Sequence, residues 1–451
     1  MKYNTKTLSN RLRVIHLSST SPVVYCGYQV GVGTRHELPG EEGLAHFCEH
    51  ATFKGTARRS ALEVINALEG VGGELNAFTT KESTTFYAAV LKSHFDEAVD
   101  LLTDIVFHST YPQEELDREV EVVCDEIESY NDTPSELIYD DFENMVFSGH
   151  PLGHNILGNA EQLRTYTSED LLRFTRRGYR PENAVFFAYG DLKFEEVLDS
   201  LECRAECVEF ANAVPSGFGE RLRVGEHSSG MCMGTVNSTV PMDSSLHSCV
   251  PLVAYPLPST PHSSLNTPVV RHLGTHQAHV MTGCRTFGFN DERRMPLYLL
   301  NNILGGPALN ARFNLTLREQ HGLVYTVEST MTCYSDTGYW SVYFGCDPDD
   351  VDECRQLVHR EMLNIMEQPL TDEQLWAAKQ QLKGQLAIAC DNREQFALDF
   401  SKSFLHNGRE RDLDKLMAQI DAITADSVLS VARQVFAPEG LTTLIYDSQS
   451  T

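Results

Sequence analysis

Residues 43–56 read GLAHFCEHATFKGT, and the residues able to do chemistry are densest there. On a helix, His46 and His50 are i and i+4 and project from one face. Two imidazoles so placed can grip one tetrahedral zinc ion. A catalytic zinc needs a third protein ligand and keeps its fourth position for water. Glu49, beside the second histidine, could take that water's proton as general base. In the commoner HExxH arrangement the base follows the first histidine; here the order is inverted, HxxEH. An amphipathic helix can carry the same spacing by chance, so the motif alone leaves both readings open.

A third ligand has to come from elsewhere in the chain. The stretch LDREVEVVCDEIESY carries Glu119 and Glu126, seven apart and so on one face of a long helix. The segment is acidic throughout, and a run of charge is ordinarily a solvated face, so spacing does not choose between ligand and surface. Cys48 points to the other face of its helix from His46 and reads as a buried structural thiol, as does Cys124. Residues 221–270 also hold histidines and cysteines (His227, His247, His262, Cys232 and Cys249), but their spacings fit no zinc module.

The elements that must position these groups follow from periodicity. From Arg11 to about Leu201, strands alternate with helices. RLRVIHL, PVVYCGYQVGVG and STTFYAAVL are rich in β-branched and aromatic residues and read as strands. EEGLAHFCEHATF, SALEVINALEGVG, SHFDEAVDLLTDIVF and PQEELDREVEVVCDEIESYND read as helices, the last with Pro112 near its first turn. Residues 221–270 then carry nine Ser and six Pro but only four charged side chains, the composition of a linker or surface excursion. Order resumes near Gln277 and repeats the first half: GYWSVYFGCDPDDVDECRQLVHREML precedes LTDEQLWAAKQQLKGQL, as STTFYAAVLKSHFDEAVDLLTDIV precedes YPQEELDREVEVVCDEI. The predicted fold is therefore α+β: two homologous domains, each an antiparallel or mixed sheet packed by helices, joined by a linker. The expected boundaries are 1–212 for the domain with the candidate zinc site, 213–272 for the linker and 273–451 for a copy without it.

Composition narrows the partners. A chain of 451 residues with 41% hydrophobic and 22% charged residues is globular. Its formal net charge of −27 argues against nucleic acid and against anionic lipid as partners. The N-terminal MKYNTKTLSNRLRVIHLSST has no apolar run of signal-peptide length, and no later stretch approaches a membrane span. Twelve cysteines without a CxxC pair read as reduced thiols. The expectation is a cytoplasmic protein.

On these residues the chain resembles the insulinase/pitrilysin zinc peptidases, which include the mitochondrial processing peptidases. GVGTRHELPGEEGLAHFCEHATFKGT is similar to that family's zinc signature, whose third ligand is a glutamate some seventy-odd residues further on. Segments similar to the family also occur in GGELNAFTTKESTTFYAAV, FSGHPLGHNILGN, YRPENAVFFAYGD and LGGPALNARFNLTLREQHGLVYTVES, so the likeness covers nearly everything except about 205–275. The resemblance implies one Zn2+ per chain on His46, His50 and Glu126, with Glu49 as base and Glu119 orienting a ligand or the water. It implies that Asn76 and Ala77 contact a peptide substrate added as an extra strand. It further implies that Arg318 and Tyr325 reach a catalytic chamber, the arginine holding substrate backbone and the tyrosine the developing oxyanion. The second half lacks the metal set: PLYLLNNILGG has no histidine, and Gln385 falls about where Glu126 would be. Since the family builds its chamber from four such units and this chain supplies two, a homodimer is implied, with Arg318 and Tyr325 acting across it. The alternative is a non-catalytic or partner-dependent subunit of a processing peptidase.

Overall fold

The computed structural model describes residues 2–210 and 267–447. In the first half the strands are β1 (Asn4–Thr7), β2 (Arg13–Ser18), β3 (Val23–Val30), β4 (Glu74–Thr79), β5 (Thr84–Leu91) and β6 (Ala184–Gly190). Its helices are α1 (Leu44–Thr52), α2 (Ala61–Glu69), α3 (Phe95–His108), α4 (Gln113–Asn131), α5 (Pro134–Val146), α6 (Ala160–Leu163), α7 (Ser168–Gly178) and α8 (Phe194–Phe210). The second half holds β7 (Val269–His272), β8 (Ala278–Phe287), β9 (Val324–Cys333), β10 (Thr337–Cys346) and β11 (Thr442–Asp447). Between them run α9 (Arg294–Gly305), α10 (Val351–Glu367), α11 (Asp372–Ala389), α12 (Arg393–Asn407), α13 (Leu413–Ala422) and α14 (Ala425–Val435).

The strands form two mixed sheets, ordered β1-β2-β6-β3-β5-β4 and β7-β11-β8-β10-β9. In each, one pair is parallel (β2 with β6, β7 with β11) and the rest are antiparallel. The two orders superimpose strand for strand once β1 is set aside, which is the repeat that the sequence displays. Of the linker expected over 213–272, residues up to 266 lie outside the described ones. The remainder contains β7, which pairs with β11 at the edge of the second sheet.

β3 and β5 read as nearly continuous apolar runs because both faces of their sheet are covered. One face is covered from within the half, by α1, α3 and neighbouring helices around Tyr28, Phe47 and Phe86. The other face takes a helix from the opposite half: Phe396, Phe400 and Leu405 of α12 pack on Ile15, Leu17 and Phe187. The reverse holds as well, with Ile138, Phe142 and Val146 of α5 lying on Met281, Tyr339 and Tyr446 of the second sheet. At about 1.5–3 kcal/mol for each large apolar side chain buried, this exchange ties the halves into one body. Their hairpin tips also meet, where the buried Arg35 pairs with Asp336 at 2.5 Å and with Glu82 at 2.8 Å. Among the described residues no helix is long and apolar enough to cross a membrane.

Candidate metal centre

α1 starts at Gly43, whose φ of +85° is open to glycine at little cost. A Cβ there would also come within 2.7 Å of Gly158, so two backbones touch at this point. Gly43 has no side chain to cap the helix. The buried Glu37 does so instead, accepting from the amides of Gly43 at 3.1 Å and Ala45 at 2.7 Å. His154 Nε2, on the connection after α5, lies 2.8 Å from the same carboxylate. The start of α1 is thereby fixed from two directions, and with it the face that carries the histidines.

That face meets α4. His46 Nε2 and His50 Nε2 lie 3.8 and 3.5 Å from Glu126 Oε2, and one ligand atom from each residue falls within 4.8 Å of the others. Ligands held at about 2.0–2.1 Å around one zinc stand roughly 3.4 Å apart, so the three atoms are at the right spacing. Three lone pairs facing one another attract a cation. The state of one ring agrees: burial, reinforced by the neighbouring His50, pushes the His46 pKa down to about 3, leaving a neutral ligand. At His50 burial would lower the pKa too, but the bond to Glu119 and the charges of Glu49 and Glu126 outweigh it. The residues present fit a zinc ion.

Around this set stand groups that orient it. His50 Nδ1 lies 3.0 Å from Glu119 Oε1, which turns His50 Nε2 toward Glu126. Lys54 Nζ holds the other Glu119 oxygen at 2.5 Å. Burial would raise the Glu119 carboxyl, yet the bonds from His50 and Lys54 keep it below its usual range and ionised. Glu49 is buried beside the histidines and accepts a hydrogen bond from the Thr79 hydroxyl at 2.6 Å. Burial raises its pKa, against the pull of Thr79 and His50. A carboxylate tuned upward is a better proton acceptor.

β4 brings the peptide-binding candidates. Asn76 and Ala77 pair with Tyr87 and Phe86 of β5, and the other edge of β4 is free among the described residues. α1 packs against this strand, and Thr79 at its end bonds to Glu49, so β4 runs beside the helix that carries the histidines. Arg318 and Tyr325 are placed differently. Arg318 lies on a π-helical turn, Asn314–Gln320, and its guanidinium stands 5.7 Å from the Tyr325 ring. Tyr325 is 81% exposed, although it is the second residue of a strand, β9. Among the described residues neither bonds to His46, Glu49, His50 or Glu126. Cys48 and Cys124 are buried free thiols and are not part of the ligand cluster.

Sequence reasoning missed Glu37, Lys54, Thr79 and His154. Lys54 carried a weak signal, lying four residues past His50, just beyond the end of α1. Thr79 and His154 reach the site only through tertiary contacts, and Glu37 through the local cap of α1.

Known proteins share the family and the fold of this chain. The model of the insulinase peptidases, family M16, matches residues 13–160, and the model of the M16 inactive domain matches residues 165–382. The zinc protease YmxG of Bacillus subtilis, itself uncharacterized, is 29% identical over 98% of both chains. An uncharacterized zinc protease of Mycobacterium leprae is 31% identical over 95% of this chain and 88% of its own length. A protease from Helicobacter pylori has the same fold, with a TM-score of 0.80 at 20% identity over 99% of both chains. A peptidase M16 inactive domain from Pseudomonas fluorescens gives 0.79 at 16% identity over 100% of this chain and 99% of that one.

Proposed function

The chain belongs to the insulinase family of peptidases, M16, and on that footing we propose that it is a zinc-dependent endopeptidase acting on short unfolded peptides or processing segments. The observation that carries the reading is the convergence of His46, His50 and Glu126 beside the buried carboxylate of Glu49. His46, His50 and Glu126 would hold the ion, one per chain. When bound, zinc supplies Lewis acidity, polarising a peptide carbonyl and making water a nucleophile near neutral pH.

The protein's own residues do the rest. A peptide laid along the free edge of β4 is held by main-chain hydrogen bonds, which tolerate many side chains. Asn76 and Ala77 lie on that edge. Glu49 takes the proton of the attacking water and passes it to the leaving amine, while Thr79 holds the carboxylate in place. Glu119 keeps His50 in one orientation, and Lys54 keeps Glu119 charged. Tyr325 and Arg318 complete the site from a second copy of the chain, the tyrosine donating to the oxygen that gains charge. That arrangement accounts for an 81% exposed tyrosine next to an arginine with no bond to its own chain's centre. The dimer encloses a chamber that admits extended peptides and excludes folded proteins.

The test is cleavage of a quenched unstructured peptide by the purified chain, with metal content, chelator and Glu49→Gln run in parallel. Cleavage that needs both the metal and Glu49 is expected. A zinc-loaded chain inactive across a peptide library would favour a subunit that depends on a different partner, and gel filtration separates that case from the homodimer.

A further inference from the structure

The two halves differ in how they fill the space beside their equivalent helices, α1 and α9. In the first half the connection after α5, residues 147–159, folds back over α1: Leu152 is buried, His154 reaches Glu37, and Gly158 lies on Gly43. In the second half the connection after α12 is only residues 408–412. What remains is a cavity of about 950 Å³ between α9, α12, α13 and the end of β9. That is the size of a small-molecule site.

Its lining carries six cationic side chains against five acidic ones, but the ion pairing among them is incomplete. Arg294, the first residue of α9, stands where α1 has the fully buried Leu44. Its guanidinium stacks on Phe289 at 4.4 Å, and its Nε is buried without a hydrogen-bond partner. Among the described residues, no carboxylate lies within ion-pair distance of Arg294 or of Lys402, which also lines the cavity. The nearby acids are largely engaged: Asp291 by Arg293 at 2.7 Å, Asp399 by Arg411 at 2.5 Å, and Asp412 as the cap of α13. Glu292 and Glu410 remain on the rim, both exposed. Met331 and Leu416 supply apolar wall. Cys333 lies inside too, its thiol pushed up to about 11 by burial against the pull of Arg294 and Lys402.

We infer that this cavity binds a small molecule bearing an oxyanion, a carboxylate or a phosphate, whose charge is met by Arg294 and Lys402 and whose body lies on the apolar wall. A partly buried guanidinium held flat by an aromatic ring keeps its terminal N–H groups aimed as a fork, and carboxylate and phosphate match that fork. The inference is independent of the metal centre.

Cys333 reports on the site without any need for activity. The alkylation rates of Cys333 by iodoacetate (anionic) and iodoacetamide (neutral) are measured on the full chain by mass spectrometry at fixed ionic strength. The iodoacetate-to-iodoacetamide ratio is expected to fall about fivefold in Arg294→Gln and in Lys402→Gln, the loss of one nearby charge. Inorganic phosphate or citrate should protect Cys333 saturably, beyond chloride at equal ionic strength. Protection by phosphate alone assigns a phosphate-bearing ligand, and protection by citrate alone a carboxylate. Lack of saturable protection by either, whatever the ratio does, overturns the inference. Lys402 is exposed, so its variant keeps the test informative if Arg294→Gln does not fold.

Discussion

α1 and α9 occupy the same place in two halves of one topology, yet they are built for different ends. Where α1 carries His46, Glu49 and His50, α9 carries Pro296, Leu299 and Leu300, and both leucines are fully buried. Where α4 carries Glu119 and Glu126, α11 carries Ala378 and Gln385 at the same distances from the helix start. The fold tolerates either set because most of the scaffold is made elsewhere, although Leu299 and Leu300 do belong to the second half's core. The scaffold is made mainly by sheets covered on both faces and by helices exchanged between halves. One half is thereby free to bury polar groups at a candidate metal site, at a cost in burial that its twin avoids.

The comparison can be broken at four points. The largest effect is expected from Glu49→Gln: peptide cleavage falls by about 10²–10⁴-fold with metal content unchanged, measured as kcat beside zinc stoichiometry. Equal activity in the variant would remove the chemical distinction between the halves. Next, Leu300→Ala should cost about 2–5 kcal/mol of stability while zinc content per folded chain stays the same, read from denaturant midpoints. A loss of zinc there would show that the halves are not chemically separate. Third, Glu119→Gln should weaken zinc affinity by about 10–100-fold, seen in competition with a chromophoric chelator. The smallest effect lies at the joint of the two halves. Burial would raise the Asp336 carboxyl, but its bonds to Arg35 hold it below the usual range. Its pairing energy is therefore fully present above the unfolded-state pKa of about 3.9 and is lost as pH falls through the lower folded value. Half-exposure of Asp336 keeps the contribution small. Asp336→Asn should flatten the fall in denaturation midpoint between pH 5 and 3; an unchanged profile would remove Arg35–Asp336 from the acid response.

Much of this was legible in the chain because it is local. HxxEH at helical spacing, the i, i+7 glutamates of α4 and the repeated strand–helix order all follow from the periods of helix and strand, which act over neighbouring residues. The fold class and the presence of two related halves follow in the same way. The choice of Glu126 over other acidic residues rested on likeness to a family, since spacing alone leaves Glu119 and Glu126 equivalent.

Sequence by itself determined which residues share a face of α1 and of α4, and that the second half repeats the topology without the ligands. Only the tertiary structure decided that the two faces meet, and that Glu37, His154, Thr79 and Lys54 support them. It alone decided that α5 and α12 trade sheets, and that a short connection after α12 leaves a cavity in the second half. Apart from the local bonds of Glu37 to Gly43 and Ala45, these outcomes depend on contacts between residues tens to hundreds of positions apart. Such pairings are selected by which buried surfaces and hydrogen bonds are satisfied together, a condition that no local period encodes.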